Sequence, residues 1–285
     1  MKILSNSTKS GFSLIELSVV IIVIGILVIG VTKGSTILNK ARIKSAQNLT
    51  HSSAVNSMIG LVAWFDASSA ESIKTSTIEN EATTEYGNIA DGDFVSGWKS
   101  INPLSTKKFE AIARASDSYR PTYTKDGINN LPSISFDGND ALSTLGDAPV
   151  SSGNDTSTFV VVWKKNTTAP TIMLSQNASD GTNYQGVSIL NRNGAIGFYD
   201  ELRTTTVIYG ATQPNVPYIT ILRVDNNNTK NIKMFHNSDT EVSFASPNRT
   251  LLNISNHSLI IGGRFPTINN LRLNGYISEV IVFFV

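Results

Sequence analysis

The chain has 285 residues, with 23 Lys plus Arg against 22 Asp plus Glu, a formal charge of +1, 40% hydrophobic residues and no cysteine. A balance this close to neutral gives no global electrostatic reason to bind nucleic acid, whose ligands carry a clustered basic excess. The missing cysteines exclude a disulfide framework, a Cys-ligated zinc or iron–sulfur site and a thiol nucleophile, and the length suits one or two domains of ~100 to 200 residues each.

The apolar residues are concentrated near the start. Residues Leu17 to Val31 read LSVVIIVIGILVIGV, and ten of those fifteen are Val or Ile. Val and Ile favour strands, yet strands in globular proteins rarely exceed ~10 residues, so the better reading is a membrane helix. Counted from Phe12 to Thr32 the stretch has 21 residues. That is about 31 Å at ~1.5 Å per residue, against a hydrocarbon core of ~30 Å. Glu16 interrupts the run near its N-terminal end. An acid at the centre of a bilayer costs about 2.5 to 3.5 kcal/mol on insertion scales. Either Glu16 is shallow and favoured by the positive end of the helix dipole, or it has a designated cationic partner.

The segment KSGFSLIELSVVIIVIGIL, from Lys9 onward, resembles the N-terminal signature of type IV prepilins and of the pseudopilins of type II secretion. A basic leader, a Gly–Phe junction, an acid and an apolar run coincide over roughly residues 9 to 32. The resemblance implies that residues 1–11 are a leader peptide, cut after Gly11 by a prepilin peptidase on the cytoplasmic side. Phe12 then becomes the N-methylated first residue of the mature chain, and Glu16 pairs with the Phe12 amine of a neighbouring subunit during assembly. It also implies a bacterial inner-membrane protein, single-pass, with its remainder in the periplasm or outside the cell and the assembled product a surface filament. Charge alone orients the helix the other way. Only Lys2 and Lys9 precede the span, whereas Lys33, Lys40, Arg42 and Lys44 follow it, so an N-terminus-in topology rests on the resemblance and not on the positive-inside count.

The helix is expected to continue to about Ile59, with Leu38, Ala41, Ser45 and Leu49 at three- and four-residue spacing. Gly25, Gly30 and Gly34 read equally as packing notches for neighbouring helices or as points where the helix melts.

From Gly60 the character changes. Turn residues recur every 8 to 12 positions between short apolar runs. Strands are expected at Leu61–Phe65, Ser133–Phe136, Phe159–Trp163, Thr171–Leu174, Gly186–Leu190, Ala195–Tyr199, Tyr218–Val224, Ile232–Phe235, Ser258–Gly262 and Tyr276–Phe284. Turns are expected at Asp137-Gly138-Asn139-Asp140, Asn191-Arg192-Asn193-Gly194, Asp225 to Asn228 and Asn274-Gly275. Short strands with no helical period between them predict an all-β antiparallel sandwich over residues 60–285, after a helical segment at 12–59. The near-neutral total conceals a bipolar chain: +2 on residues 1–11, +3 on 12–59 and −4 on the remainder.

The opening Gly-Leu-Val-Ala-Trp-Phe-Asp-Ala, then Trp98-Lys99, Arg120 to Tyr123, Gly127 to Pro132, Ile134 to Asp140 and the closing Leu-Asn-Gly-Tyr-Ile-Ser-Glu-Val-Ile-Val-Phe together resemble the concanavalin A-like, laminin-G-like jelly roll. This second resemblance covers most of residues 60–284 and implies a lectin-like head for adhesion or for binding glycan or protein. Relatives continue past the last strand with a polar turn and a short helix, whereas this sequence stops at Phe283-Phe284-Val285. The apolar end reads as a buried final strand or as a truncation.

Catalytic patterns are sparse. Retaining glycosidases need two carboxylates about 5 to 5.5 Å apart. No Glu-x-Asp-x-x-Glu occurs, Asp200 and Glu201 would point to opposite faces of a strand, and Glu279 is a lone acid on the last one. There is no Gly-x-Ser-x-Gly, P-loop or His-Glu-x-x-His, and His51, His236 and His257 are scattered. An enzyme is therefore not expected, and no cofactor is implied except calcium, for which Asp137, Asn139 and Asp140 offer oxygens. The same four-residue segment reads first as a tight turn. Trp64 and Trp163 read as core, leaving Trp98, in a polar stretch, as the best exposed platform for a sugar ring. The leading expectation is a minor pilin or pseudopilin whose partners are prepilin peptidase, other pilin subunits, the inner membrane and surface glycans, with no nucleic acid. The runner-up is a non-polymerising, membrane-anchored glycan-binding protein, and the third reading an anchored glycanase.

Overall fold

The computed structural model describes residues 11–76, 86–113, 120–145, 149–150, 156–177, 186–192, 194–200, 206–225, 231–237, 240–245, 257–264 and 271–284. It divides into two compact units, Met1–Ser45 and Ala46–Val285.

The first unit is helical. Helix α1 runs Leu14–Ser52, so most of it lies in this unit. Its start is a reciprocal cap: the Ser13 N–H donates to Glu16 Oε2 at 2.8 Å, and the Glu16 N–H donates to Ser13 Oγ at 3.2 Å. Two of the four N–H groups that every helix start leaves without a partner are satisfied in this way. Farther along, the hydroxyls of Ser18, Thr32 and Thr36 bond back to carbonyls three or four residues earlier. No side chain from Leu17 to Val31 is buried within the chain, and α1 is long and apolar enough to cross a membrane. The helix runs unbroken through Gly25, Gly30 and Gly34, and among the described residues nothing beyond the helix's own neighbouring backbone lies within 4 Å of where their Cβ atoms would be.

Instead of reaching Ile59, α1 stops at Ser52 and gives way to a single 3-10 turn, Ala54–Ser57. The stop has a local cause. Asn56 Nδ2 donates to the Thr50 and His51 carbonyls, and the Ser53 hydroxyl accepts from the Val55 N–H, so the side chains tie off the helix end.

The second unit is a two-layer antiparallel sandwich of strands β1 (Leu61–Asp66), β2 (Ile73–Ser76), β3 (Phe94–Lys99), β4 (Glu110–Ile112), β5 (Thr122–Ile128), β6 (Leu131–Asp137), β7 (Leu142–Ser143), β8 (Thr156–Lys165), β9 (Thr171–Asn177), β10 (Gly186–Arg192), β11 (Ala195–Asp200), β12 (Thr206–Ala211), β13 (Pro217–Asp225), β14 (Asn231–His236), β15 (Val242–Ala245), β16 (Leu259–Ile261) and β17 (Asn274–Phe284). One layer reads β15-β14-β13-β8-β17; β17 then pairs with β6 along its first half and β1 along its second, and β5 follows β6. The other reads β12-β11-β10-β9-β16-β7-β4-β3-β2. The pair Phe94–Thr122 joins them at one edge, where the Val95 N–H also donates to the Pro121 carbonyl and the Tyr123 N–H to the Asp93 carbonyl.

Strand β8 shows why the layers stack. Its residues alternate, with Ser157, Phe159, Val161, Trp163 and Lys165 buried and the intervening ones half-buried, the period-two pattern of a strand with one face in a core. The final strand is central and not peripheral, with β8 on one side and β6 and β1 on the other, and it carries the apolar run as far as Phe284. All ten expected strands are present. One expected turn is not a turn, and another starts later than expected: Asn274-Gly275 opens β17, where a Cβ on Gly275 would collide with the Lys164 carbonyl oxygen, while Asn191 is a buried strand residue of β10 and the hairpin to β11 closes at Arg192–Ala195.

Candidate functional site

At the N-terminus, Gly11, Phe12 and Ser13 precede the first helical residue, and all three are exposed. Phe12 is 88% exposed and, its chain neighbours apart, no atom of the described residues lies within 4 Å of a Cβ built on Gly11, so nothing described covers the Gly11–Phe12 bond. Glu16, one helical turn on, is exposed, and one of its oxygens is engaged by its own helix start. The sequence placed these residues together. It did not reveal the cap, although Ser13-x-x-Glu16 before an apolar run is the pattern that signals one.

In the head, Trp98 requires correction. It is not an exposed platform but a core residue of β3, 0% exposed and packed edge-on to Phe65 at 5.7 Å. Strand β3 is buried from Val95 to Trp98, so its Ser and Gly are interior too, and its polar sequence does not mean a wet surface. Trp64 and Trp163 are core, as expected.

Asp137, Asn139 and Asp140 form the tight turn after β6. Asn139 N–H donates to Asp137 Oδ1 at 2.7 Å, and Asp137 N–H donates to Asp140 Oδ2 at 2.8 Å. Asn274 Nδ2 donates to the Asp137 carbonyl at 3.0 Å, and Arg272 to the Asn139 carbonyl. Burial pushes the Asp140 carboxyl up to about 7, against the pull of the Asp137 N–H. Both aspartates thus spend oxygens on the turn's own backbone. Among the described residues no three His, Asp or Glu side chains gather in metal-ligand geometry.

Two buried polar groupings were not foreseen. Glu279 is not a lone acid: it lies opposite Asp66 on β1 and accepts the Trp64 indole N–H at 2.7 Å. Burial first, then the Asp66 charge, pushes its carboxyl up to about 7, with the Trp64 hydrogen bond opposing. Asp66 in turn accepts from the Ser68 N–H, the Ser68 hydroxyl and the Thr50 hydroxyl, and Gln47 Nε2 donates to the Ser68 carbonyl. This fastens the last turns of α1, inside the second unit, to the end of β1.

The other grouping lies between the layers. Trp163, Tyr218 and His236 stack, with Tyr218 and His236 centroids 4.6 Å apart. Trp163 Nε1 donates to Thr220 Oγ1, which lies 3.0 Å from His236 Nδ1. The direction of that last contact follows the imidazole tautomer, since a hydroxyl can donate to Nδ1 or accept from it. Burial pushes the imidazole down to about 4. Nearby in sequence and on the same face of β8 as Trp163, Lys165 donates to Asn191 Oδ1 at 2.8 Å, and Asn191 Nδ2 donates to Thr212 Oγ1 at 2.5 Å.

Residues 6–32 match the family described as the prokaryotic N-terminal methylation motif. No curated protein is similar enough to match the chain. Among solved structures the chain is similar to domain 4 of AbnA, a GH43 extracellular arabinanase from Geobacillus stearothermophilus in complex with arabinotriose, at 16% identity over 78% of this chain and 91% of that one, with a TM-score of 0.47. It is also similar to the CBM40 of a Ruminococcus gnavus IT-sialidase bound to α2,3-sialyllactose, at 17% identity over 46% and 76%, TM-score 0.39. A third is Trypanosoma rangeli sialidase in complex with sialic acid, at 11% identity over 79% and 31%, TM-score 0.45. Likenesses this distant transfer neither a ligand nor an activity. The chain carries a prepilin-type methylation segment on an apolar helix, followed by a β-sandwich head.

Proposed function

We propose that the protein is a pilin-like structural subunit, a minor pilin or pseudopilin, whose sandwich head serves adhesion or binding outside the cytoplasm. In this reading the chain is cut between Gly11 and Phe12, Phe12 is N-methylated, and Glu16 pairs with the new amine of a neighbouring subunit. The observation that carries it is the coincidence, at one end of the chain, of the methylation motif at residues 6–32 with an exposed Gly11–Phe12 junction and a helix whose apolar run buries nothing within the chain. A helix that covers no core of its own needs lipid or other helices around it. A head that holds its own core is free to act at a distance from that anchor, and its jelly-roll sequence features favour a glycan or protein ligand.

Mass spectrometry of the mature N-terminus is the decisive measurement. It should find methylated Phe12; a chain starting elsewhere overturns the reading. Replacing Glu16 by Ala should leave cleavage intact and prevent incorporation into filaments. Normal incorporation of Glu16→Ala would remove the pairing step. Correct processing with no filament under any condition would favour the anchored, non-polymerising binding protein.

A further inference from the structure

We propose that the head closes a covalent cross-link between its two layers: an amide bond between Lys165 Nζ and Asn191 Cγ, formed with loss of ammonia. Lys165 ends β8 in one layer and Asn191 lies in β10 of the other, so the bond would tie the sandwich together across its interior. The two side chains are 1% and 0% exposed and already touch, Nζ donating to Oδ1 at 2.8 Å. Asn191 is that amine's one hydrogen-bond partner among the described residues. A charged ammonium would have protons left over in a closed interior, which favours the neutral amine, and burial holds the Lys165 pKa below its ordinary 10.5. A neutral, desolvated lysine amine is a nucleophile.

The electrophile is equally fixed. Asn191 Nδ2, the nitrogen that must leave, donates to the buried Thr212 hydroxyl at 2.5 Å, and the Lys165 N–H polarises the amide oxygen. In the step, the Nζ lone pair forms the Nζ–Cγ bond and the Cγ–Nδ2 bond breaks. One proton passes from Nζ to Nδ2, the Thr212 hydroxyl being the protein group in contact with the departing nitrogen. The products are a secondary amide and ammonia, and no oxidant or other reactant is consumed. The backbone of Lys165 is held as well, its carbonyl accepting the Asn215 N–H at 2.7 Å. With no cysteine in the chain, this is a route to the constraint on the unfolded state that a disulfide would otherwise give. The bond requires neither filament assembly nor a ligand.

The test uses the full chain, purified in detergent and digested with trypsin. The expected result is failure to cut after Lys165 and a branched peptide joining the Lys165 and Asn191 segments, lighter than their sum by one ammonia beyond the peptide-bond bookkeeping of the digest. On a denaturing gel the protein should run faster than its Asn191→Ala variant, and Thr212→Val should lower the cross-linked fraction. Cleavage after Lys165, with two linear peptides of unmodified mass, overturns the proposal. So does a linear Asn191 peptide that has lost ammonia by closing on its own backbone. Both outcomes are read on the native sequence, so they stand whether or not the variants fold.

Discussion

Glu279 gives the head a pH dependence that can be worked out from its surroundings. Its carboxyl lies opposite Asp66 and under the Trp64 indole, and it is pushed from an ordinary 4.5 up to about 7. Below pH 4.5 both folded and unfolded chains hold the proton and the site contributes no penalty. Between 4.5 and about 7 the unfolded chain has released a proton that the folded one keeps, so stability falls as pH rises; above about 7 the penalty is complete. Its size is about 3 kcal/mol, each tenfold change in proton affinity being about 1.4 kcal/mol. Glu279→Gln preserves an oxygen for the Trp64 N–H but cannot ionise. The variant should therefore match the parent near pH 4.5 and exceed it by up to about 3 kcal/mol at pH 8. Asp140, also raised to about 7, acts in the same direction and window in both proteins and cancels in the difference. The three tryptophans, Trp64, Trp98 and Trp163, all lie in the head, so urea unfolding followed by tryptophan fluorescence at pH 5, 6, 7 and 8 reports on that unit. A stability difference that stays flat across those values, or that shrinks as pH rises, would refute the reasoning.

His236 works in the opposite sense. Burial pushes it from 6.5 down to about 4, so the folded head resists a proton that the unfolded chain accepts, and stability is lost as pH falls from 6.5 through about 4. His236→Gln should flatten that acid limb, by up to about 3 kcal/mol, as measured by near-ultraviolet circular dichroism during acid titration. Gly262 has φ +82° and a Cβ there would overlap the Phe136 ring, so Gly262→Ala should destabilise the head by about 2 kcal/mol or more in thermal unfolding. Gly138 also has positive φ, but its nearest neighbour would be Asn274 Cβ at 3.7 Å. Gly138→Ala should therefore cost only about 1 kcal/mol, and equal losses at the two sites would remove the packing term.

Strands with one wet face were readable from sequence because they alternate or form compact apolar runs; β8 and β13 are examples. Strands β2, β3, β4, β5, β7, β12 and β15 were not expected, and β3 shows a cause. Phe94-Val-Ser-Gly-Trp-Lys99 is buried on both faces through its middle, so it has no alternation, and its Ser and Gly imitate a turn. Asn191 was misplaced for a similar reason: Asn191-Arg192-Asn193-Gly194 has the composition of a hairpin turn, yet its first residue is a fully buried part of β10. The contacts that matter most to the interior, Lys165 with Asn191 and Glu279 with Asp66, join residues 26 and 213 positions apart in sequence. Local composition carries no trace of such pairs; only the register of the sheets brings them together. The N-terminal methylation motif was legible because its parts are consecutive.

That locality also explains why an acid is tolerated at the head of so apolar a helix. A helix start leaves N–H groups unpaired, and a carboxylate near lipid lacks solvation; each alone is unfavourable. Ser13 and Glu16 cancel the two, since the carboxylate accepts the Ser13 N–H at 2.8 Å while the Ser13 hydroxyl accepts the Glu16 N–H. The bond to Ser13 uses one oxygen, Oε2. A carboxylate has about four acceptor positions, so capping leaves Glu16 able to receive a second, cationic donor without first abandoning its own helix. In the pilin-like reading proposed above, a subunit waiting in the membrane and a subunit paired with a neighbour would then share one helix geometry, differing only in what occupies the second oxygen.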